Sequence, residues 1–157
     1  MRRWLPAMLF LTLGCAEEGA LDPEGAHWDV TVEGSVDTCH AEGEGVGFRQ
    51  TYVYSLFYEG SITDLRIGGD SFATGIVSGC SLSYESPIIG EERESGELKW
   101  QLTGEATLRA GGDGCSLGDG SDWVGTETFE IVESQDPDIE VGCEYTMTVE
   151  GMYVDLN

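Results

Sequence analysis

From Trp28 almost to the C-terminus, apolar and polar residues alternate with a period of two, the pattern of strands with one buried face and one wet face. Trp28, Val30 and Val32 alternate with Asp29 and Thr31. Phe48, Tyr52, Tyr54, Leu56 and Tyr58 share the face of a second, long strand, and Leu65 and Ile67 belong to a third. Ile76, Cys80, Leu82 and Tyr84 are expected on one face. Leu98, Trp100, Leu102, Ala106 and Leu108 are expected on another, opposite Lys99, Gln101, Thr103 and Arg109. Trp123, Phe129 and Ile131 define the next strand, and Val141, Cys143, Tyr145, Met147, Val149 and Tyr153 the last. Turn residues separate these runs: Glu59-Gly60, Gly68-Gly69-Asp70, Ser86-Pro87, Gly111-Gly112-Asp113-Gly114 and Gln135-Asp136-Pro137-Asp138. No stretch sustains the helical period. The pattern therefore predicts an all-β domain over residues 27–157, a single antiparallel β-sandwich or small up-and-down barrel of about 7–8 strands. The long runs 97–109 and 139–154 favour strongly coiled strands or a barrel. Thr31-Val32-Glu33-Gly34 recurs as Thr148-Val149-Glu150-Gly151, which shared β-composition accounts for.

The N-terminus breaks this pattern. Arg2 and Arg3 precede an apolar run from Trp4 to Leu13, and Gly14 stands directly before Cys15. A bilayer-spanning helix needs about 20 apolar residues, so the run suits a secretory signal instead. Thr12-Leu13-Gly14-Cys15 resembles the lipobox of bacterial lipoproteins, except that Thr12 stands where Leu is usual. The resemblance implies a signal peptide over residues 1–14, removed before Cys15, and acyl chains (palmitate among them) on Cys15. Ala16 rather than Asp after the cysteine implies the outer membrane, with the domain facing the periplasm or the cell surface. Residues 15–26, with Glu, Gly and Pro and little to bury, read as a flexible tether between lipid and domain.

Cysteine arithmetic fits that address. With Cys15 lipidated, Cys39, Cys80, Cys115 and Cys143 remain, an even set in an oxidising compartment and hence a disulfide framework. No C-x-x-C knuckle is present, and His27 and His40 lie at no ligand spacing, so no metal and no other cofactor is expected. Cys80 and Cys143 each follow a glycine on an apolar strand face, whereas Cys39 and Cys115 sit in or beside Gly-, Asp- and Ser-rich loops. The expected bridges are Cys80–Cys143 in the core and Cys39–Cys115 between loops.

The formal charge of −23 becomes −25 once Arg2 and Arg3 leave with the signal. Such acidity excludes nucleic acid as a partner, because phosphates would repel it, and leaves the lipid as the route to the membrane.

Candidate chemistry is sparse. Gly69-Asp70-Ser71-Phe72 resembles the nucleophile block of GDSL-type hydrolases. That family is α/β and needs a later Asp-x-x-His, and no His follows position 40 here. A serine without a base is not activated, and a β-turn explains the residues as well. The loop 111–122 carries Asp113, Asp119 and Asp122, oxygen ligands that could suit calcium, but at neither EF-hand nor β-roll spacing. Glu127 is the most unexpected residue, a carboxylate on the apolar face with Trp123, Phe129 and Ile131. A buried carboxylate must be paired or neutralised, so Glu127 is either a polar anchor inside a cavity or a residue at a bulge or rim. Tyr52, Tyr54 and Tyr58 with Trp100 would form sheet core, line a pocket or stack on sugar rings. These residues lead to a non-enzymatic, lipid-anchored envelope protein whose β-domain binds or scaffolds an envelope protein or glycan. One alternative is a lipocalin-like carrier of a small apolar ligand, its cavity lined by Tyr52, Tyr54, Trp100 and Glu127. A lesser alternative is an envelope hydrolase.

Overall fold

The computed structural model describes residues 26–40, 43–109 and 121–154. Among them lie nine strands: β1 (Ala26–Asp37), β2 (Arg49–Glu59), β3 (Ile62–Ile67), β4 (Asp70–Ser78), β5 (Ser81–Glu85), β6 (Ile89–Arg93), β7 (Gly96–Leu108), β8 (Trp123–Ser134) and β9 (Glu144–Val154). Every pairing is antiparallel. β1 pairs with β9 as well as β2, and β5 pairs with β7. The sheet therefore closes into an eight-stranded up-and-down barrel, with β6 as an extra strand on β7. Closure removes most of the exposed edge that would otherwise invite pairing with other chains, leaving β6 and the start of β4 with an open side.

Local chemistry explains the meander. Ile67 pairs with Asp70 across Gly68 and Gly69, whose φ angles are +61° and +92°. Two consecutive left-handed residues make the tight hairpin whose twist matches the strands, and glycine adopts that conformation without steric cost. Leu65 pairs with Ala73, but Arg66 pairs with Ser71, so Phe72 is bulged out of the ladder. The bulge changes which residues of β4 face inward. Ala73 and Gly75 are buried with Val77 half-buried, while Ile76 is 57% exposed. This corrects the expected face through Ile76, Cys80, Leu82 and Tyr84: only Leu82 and Tyr84 belong to it, and Cys80 sits in the turn between β4 and β5.

Ser86-Pro87 is not a turn between strands. β5 pairs with Thr103–Thr107 of β7, and β6 pairs with Gly96–Trp100 further along the same edge. They are one strand line broken at residues 86–88, where proline has no amide to give the ladder. Ser86 bridges the break with its backbone N–H to the Leu102 carbonyl (2.9 Å) and its Oγ accepting the Leu102 amide (2.9 Å). Beyond the break the line leaves β4, whose pairing with β5 ends at Thr74–Glu85. The first residues of β4 and all of β6 thus flank an opening in the barrel wall.

The described disulfide is Cys39–Cys143. Both expected pairs are corrected, since each used one of these two cysteines. The reason is where the last strand begins. β9 starts at Glu144, so Cys143 lies in the β8–β9 loop and not on a strand face. The barrel sets that loop beside the end of β1, where Thr38 donates its amide to the Glu144 carbonyl at 2.9 Å. Val141, expected inward, is 55% exposed for the same reason. Cys80 is disulfide-bonded as well, to a cysteine outside the described residues. The expected signal segment 1–14, Cys15, the expected tether to residue 25, Cys115 and most of loop 111–122 also lie outside them.

The barrel interior has two halves. One is filled by Trp28, Trp123, Leu56, Leu65, Leu82 and Leu108, each no more than 2% exposed. The other half is open.

Candidate functional site

Glu127 stands at the boundary between the halves. On β8, Thr126 and Thr128 point out while Glu127 points in and is 1% exposed. Its neighbours across the ladder are Gly104 of β7 and Met147 of β9. The next strand beyond β7 carries Tyr84, paired with Gly104. A Cβ at position 104 would lie 2.1 Å from Cζ of Tyr84. The missing side chain is therefore a notch in which the phenol ring lies across β7, and its hydroxyl donates to Oε1 of Glu127 at 2.6 Å. From β2, on the far side of the lumen, Tyr54 donates to the same oxygen at 3.0 Å. Burial pushes the Glu127 carboxyl above its ordinary range, against the lowering effect of the two hydroxyls. Both tyrosines are pushed well above their ordinary value, by burial first and then by the charge of Glu127, so they serve as donors.

Above this floor is a cavity of about 410 Å³, within the range of roughly 300–1,000 Å³ common for small-molecule sites. Its walls are mainly aromatic and aliphatic, with Tyr52, Phe72, Trp100, Leu102, Phe129 and Met147 among them. The rings are packed in two groups. Tyr54 lies 5.0 Å from Phe72 and 6.5 Å from Tyr52 between centroids. Phe129 lies 5.1 Å from Trp100 and 6.5 Å from Tyr145. The buried indole Nε1 of Trp100 has no hydrogen-bond partner among the described residues.

Loops build the mouth. Asp37, at the end of β1, accepts the amides of Cys39 and His40 on Oδ1 and that of Gly45 on Oδ2 (3.0, 3.1 and 2.8 Å), folding the β1–β2 connection over the barrel end. Its Oδ2 also holds Nδ1 of His40 at 2.9 Å. Burial raises the Asp37 pKa, but the Gly45 amide and the His40 contacts outweigh it and the net shift is downward. Tyr145 donates to the Gly45 carbonyl at 3.1 Å. The Cys39–Cys143 bond ties this connection to the β8–β9 loop, which supplies Ile139. Asp70, Ser71 and Pro87 complete the mouth at the opening in the wall.

Tyr52, Tyr54, Trp100 and Glu127, expected from sequence to line a cavity, all line this one. Other candidates do not assemble. Ser71 lines the mouth, but its hydroxyl donates to Asp64 Oδ1. His40 shares the cavity, and no bond joins it to Ser71 among the described residues. Asp122 spends Oδ1 on the Tyr153 amide at 2.9 Å, and Asp113 and Asp119 lie outside the described residues. No group of three His, Cys, Asp or Glu that could hold a metal occurs among the described residues. Sequence reasoning missed Tyr84 as a partner of Glu127 and Gly104 as the notch beneath it. It also missed Asp37 as organiser of the mouth. A glycine on the inward face of an otherwise bulky strand was the available signal for the notch. No family model matches the chain, no curated protein matches it, and no solved structure matches it.

Proposed function

We propose that this chain is a non-enzymatic carrier of the cell envelope, held to the outer membrane by lipid on Cys15, whose barrel binds a small and mainly apolar ligand. The observation that carries this reading is the half-open interior: an aromatic cavity of about 410 Å³ whose floor is a buried carboxylate held by two phenols. A barrel that only scaffolds a partner has no need of such a space, and closely packed interiors leave few voids larger than a water. Walls of this kind bind by excluding water from apolar surface, with a few polar groups fixing orientation. The expected envelope address, from the Thr12–Cys15 motif, gives the carrier a place to exchange apolar molecules.

A neutral apolar fluorophore, N-phenyl-1-naphthylamine, tests the carrier. The full-length protein should bind it saturably at one site per chain. Leu102→Trp, which fills the cavity from a wall position only 4% exposed, should abolish binding while the far-ultraviolet spectrum is retained. Absence of saturable binding to the wild type refutes the carrier. The anchor has its own test: Cys15→Ala should leave the membrane fraction, and its retention there to the wild-type extent would refute lipid attachment.

A further inference from the structure

Resting on that carrier reading, we propose that the ligand is a hydrophobic amine, its apolar body among the aromatic walls and its protonated amino group on Glu127. Three independent features converge on this class. The first is the unequal use of the carboxylate. Both tyrosine hydroxyls go to Oε1, none of the described residues donates to Oε2, and Glu127 lines the cavity. A buried carboxylate is costly unless paired and hydrogen-bonded. A ligand ammonium supplies both the missing donor and the missing charge, an alcohol only the donor. A ligand carboxylate supplies neither and meets a like charge.

The second feature is the sign of the whole lining. Asp37, Glu44 and Asp70 stand at the mouth, and the described lining contains no Lys or Arg. Its one basic group, His40, is held by Asp37. With the chain at −23, the field along the route of entry draws cations in and turns anions away. The third feature is the walls. Tyr52, Trp100 and Phe129 line the cavity with Glu127, and the quadrupole of such rings attracts a desolvated ammonium.

Isothermal titration of the full-length protein with decylamine, decanol and decanoate at neutral pH separates the possibilities. Working at about 0.5 M salt suppresses adsorption on the acidic surface, since screening shortens to a few ångström near 1 M. Decylamine should bind one per chain and at least about tenfold tighter than decanoate, with decanol between them. Glu127→Gln keeps an acceptor and the volume; it should weaken decylamine about tenfold and leave decanol within about threefold. The ranking of the three probes on the wild type needs no variant. Decanoate binding as tightly as decylamine, or an amine preference unchanged in Glu127→Gln, overturns the proposal and leaves the carrier standing. Failure of all three probes, together with failure of the neutral fluorophore, overturns the carrier itself.

Discussion

Gly104→Ala tests whether the cavity floor depends on the notch. The new methyl would lie 2.1, 2.3 and 2.6 Å from three atoms of the Tyr84 ring. β5 cannot retreat, because it is hydrogen-bonded to β4 on one edge and β7 on the other. On the β4 side, Gly75 already leaves a Cβ position only 2.9 Å from Cβ of Tyr84. The ring must therefore tilt, and its 2.6 Å bond to Glu127 breaks. Overpacking in a filled interior costs about 1–3 kcal/mol. Removing a hydrogen bond to a charged group adds about 1.5–3 kcal/mol. The lower backbone entropy of alanine in the unfolded chain returns about 0.4–1 kcal/mol. The expected net loss is about 2–5 kcal/mol, or roughly 8–20 °C in melting temperature for a domain of this size. Urea unfolding followed by tryptophan fluorescence reads it directly. In a Tyr84→Leu background the notch is empty, and Gly104→Ala should then cost less than about 1 kcal/mol, which makes the two sites strongly coupled in a double-mutant cycle. A loss below about 0.5 kcal/mol in the wild-type background, or equal losses in both, would refute the reasoning.

Glu127→Gln should change how stability depends on pH. The folded carboxyl titrates above its ordinary value of 4.5, so its contribution is complete below that value and is lost as pH rises through the raised one. Tyr54 and Tyr84 stay protonated through this range. Asp37 shifts the opposite way and loses its contribution as pH falls, but it is common to both proteins. Calorimetry should show the variant gaining on the wild type as pH rises from about 4.5 and the difference then holding constant; a difference independent of pH would contradict the burial of a titrating Glu127. Replacing Cys39 and Cys143 together by Ala should destabilise by about 2–5 kcal/mol in denaturant titrations, because the bond closes a long loop, and a loss under about 1 kcal/mol would show that the mouth loops hold without it. Cys80 should be bonded to Cys115. The Leu108 amide donates to the Cys80 carbonyl at 2.7 Å, so the chain leaving β7 passes beside Cys80, and Cys115 follows seven residues later. A Cys15–Cys80 peptide in non-reducing mass spectrometry would refute both that pairing and the lipid on Cys15.

Period-two alternation made the strands legible because each buries one face in a single lumen, and closure turns every inner face to the same place. What it could not carry is the interruption of that period. A bulge adds one residue without a composition of its own, and at Phe72 it moves Ile76 outward and brings Phe72 to the cavity. Disulfide pairing failed for a related reason. It depends on which strand ends meet, and assigning Cys143 to a strand face instead of the loop before β9 reversed that geometry.

The site was half legible, and the division follows from physics. Glu127 was visible because charge on an apolar face violates the pattern, and such violations concentrate where function is. Tyr84 obeys the pattern, so nothing marked it as the partner of a residue 43 positions away. Pro87 was read as a turn because proline punctuates chains. In a closed barrel the same residue does something else: it breaks one strand line, lets β6 part from β4, and leaves the wall open next to Asp70 and Phe72. The glycine at 104 and the proline at 87 thus act on the same end of one interior. The first admits a phenol to hold the floor, and the second keeps the mouth from closing over it. A sequence that merely needed a stable barrel would place a larger apolar residue at 104 and a β-branched one at 87. Gly104 stands across the ladder from Glu127 and Pro87 lines the same cavity, so both departures from the barrel pattern bear on the half of the interior that the chain's own side chains leave open.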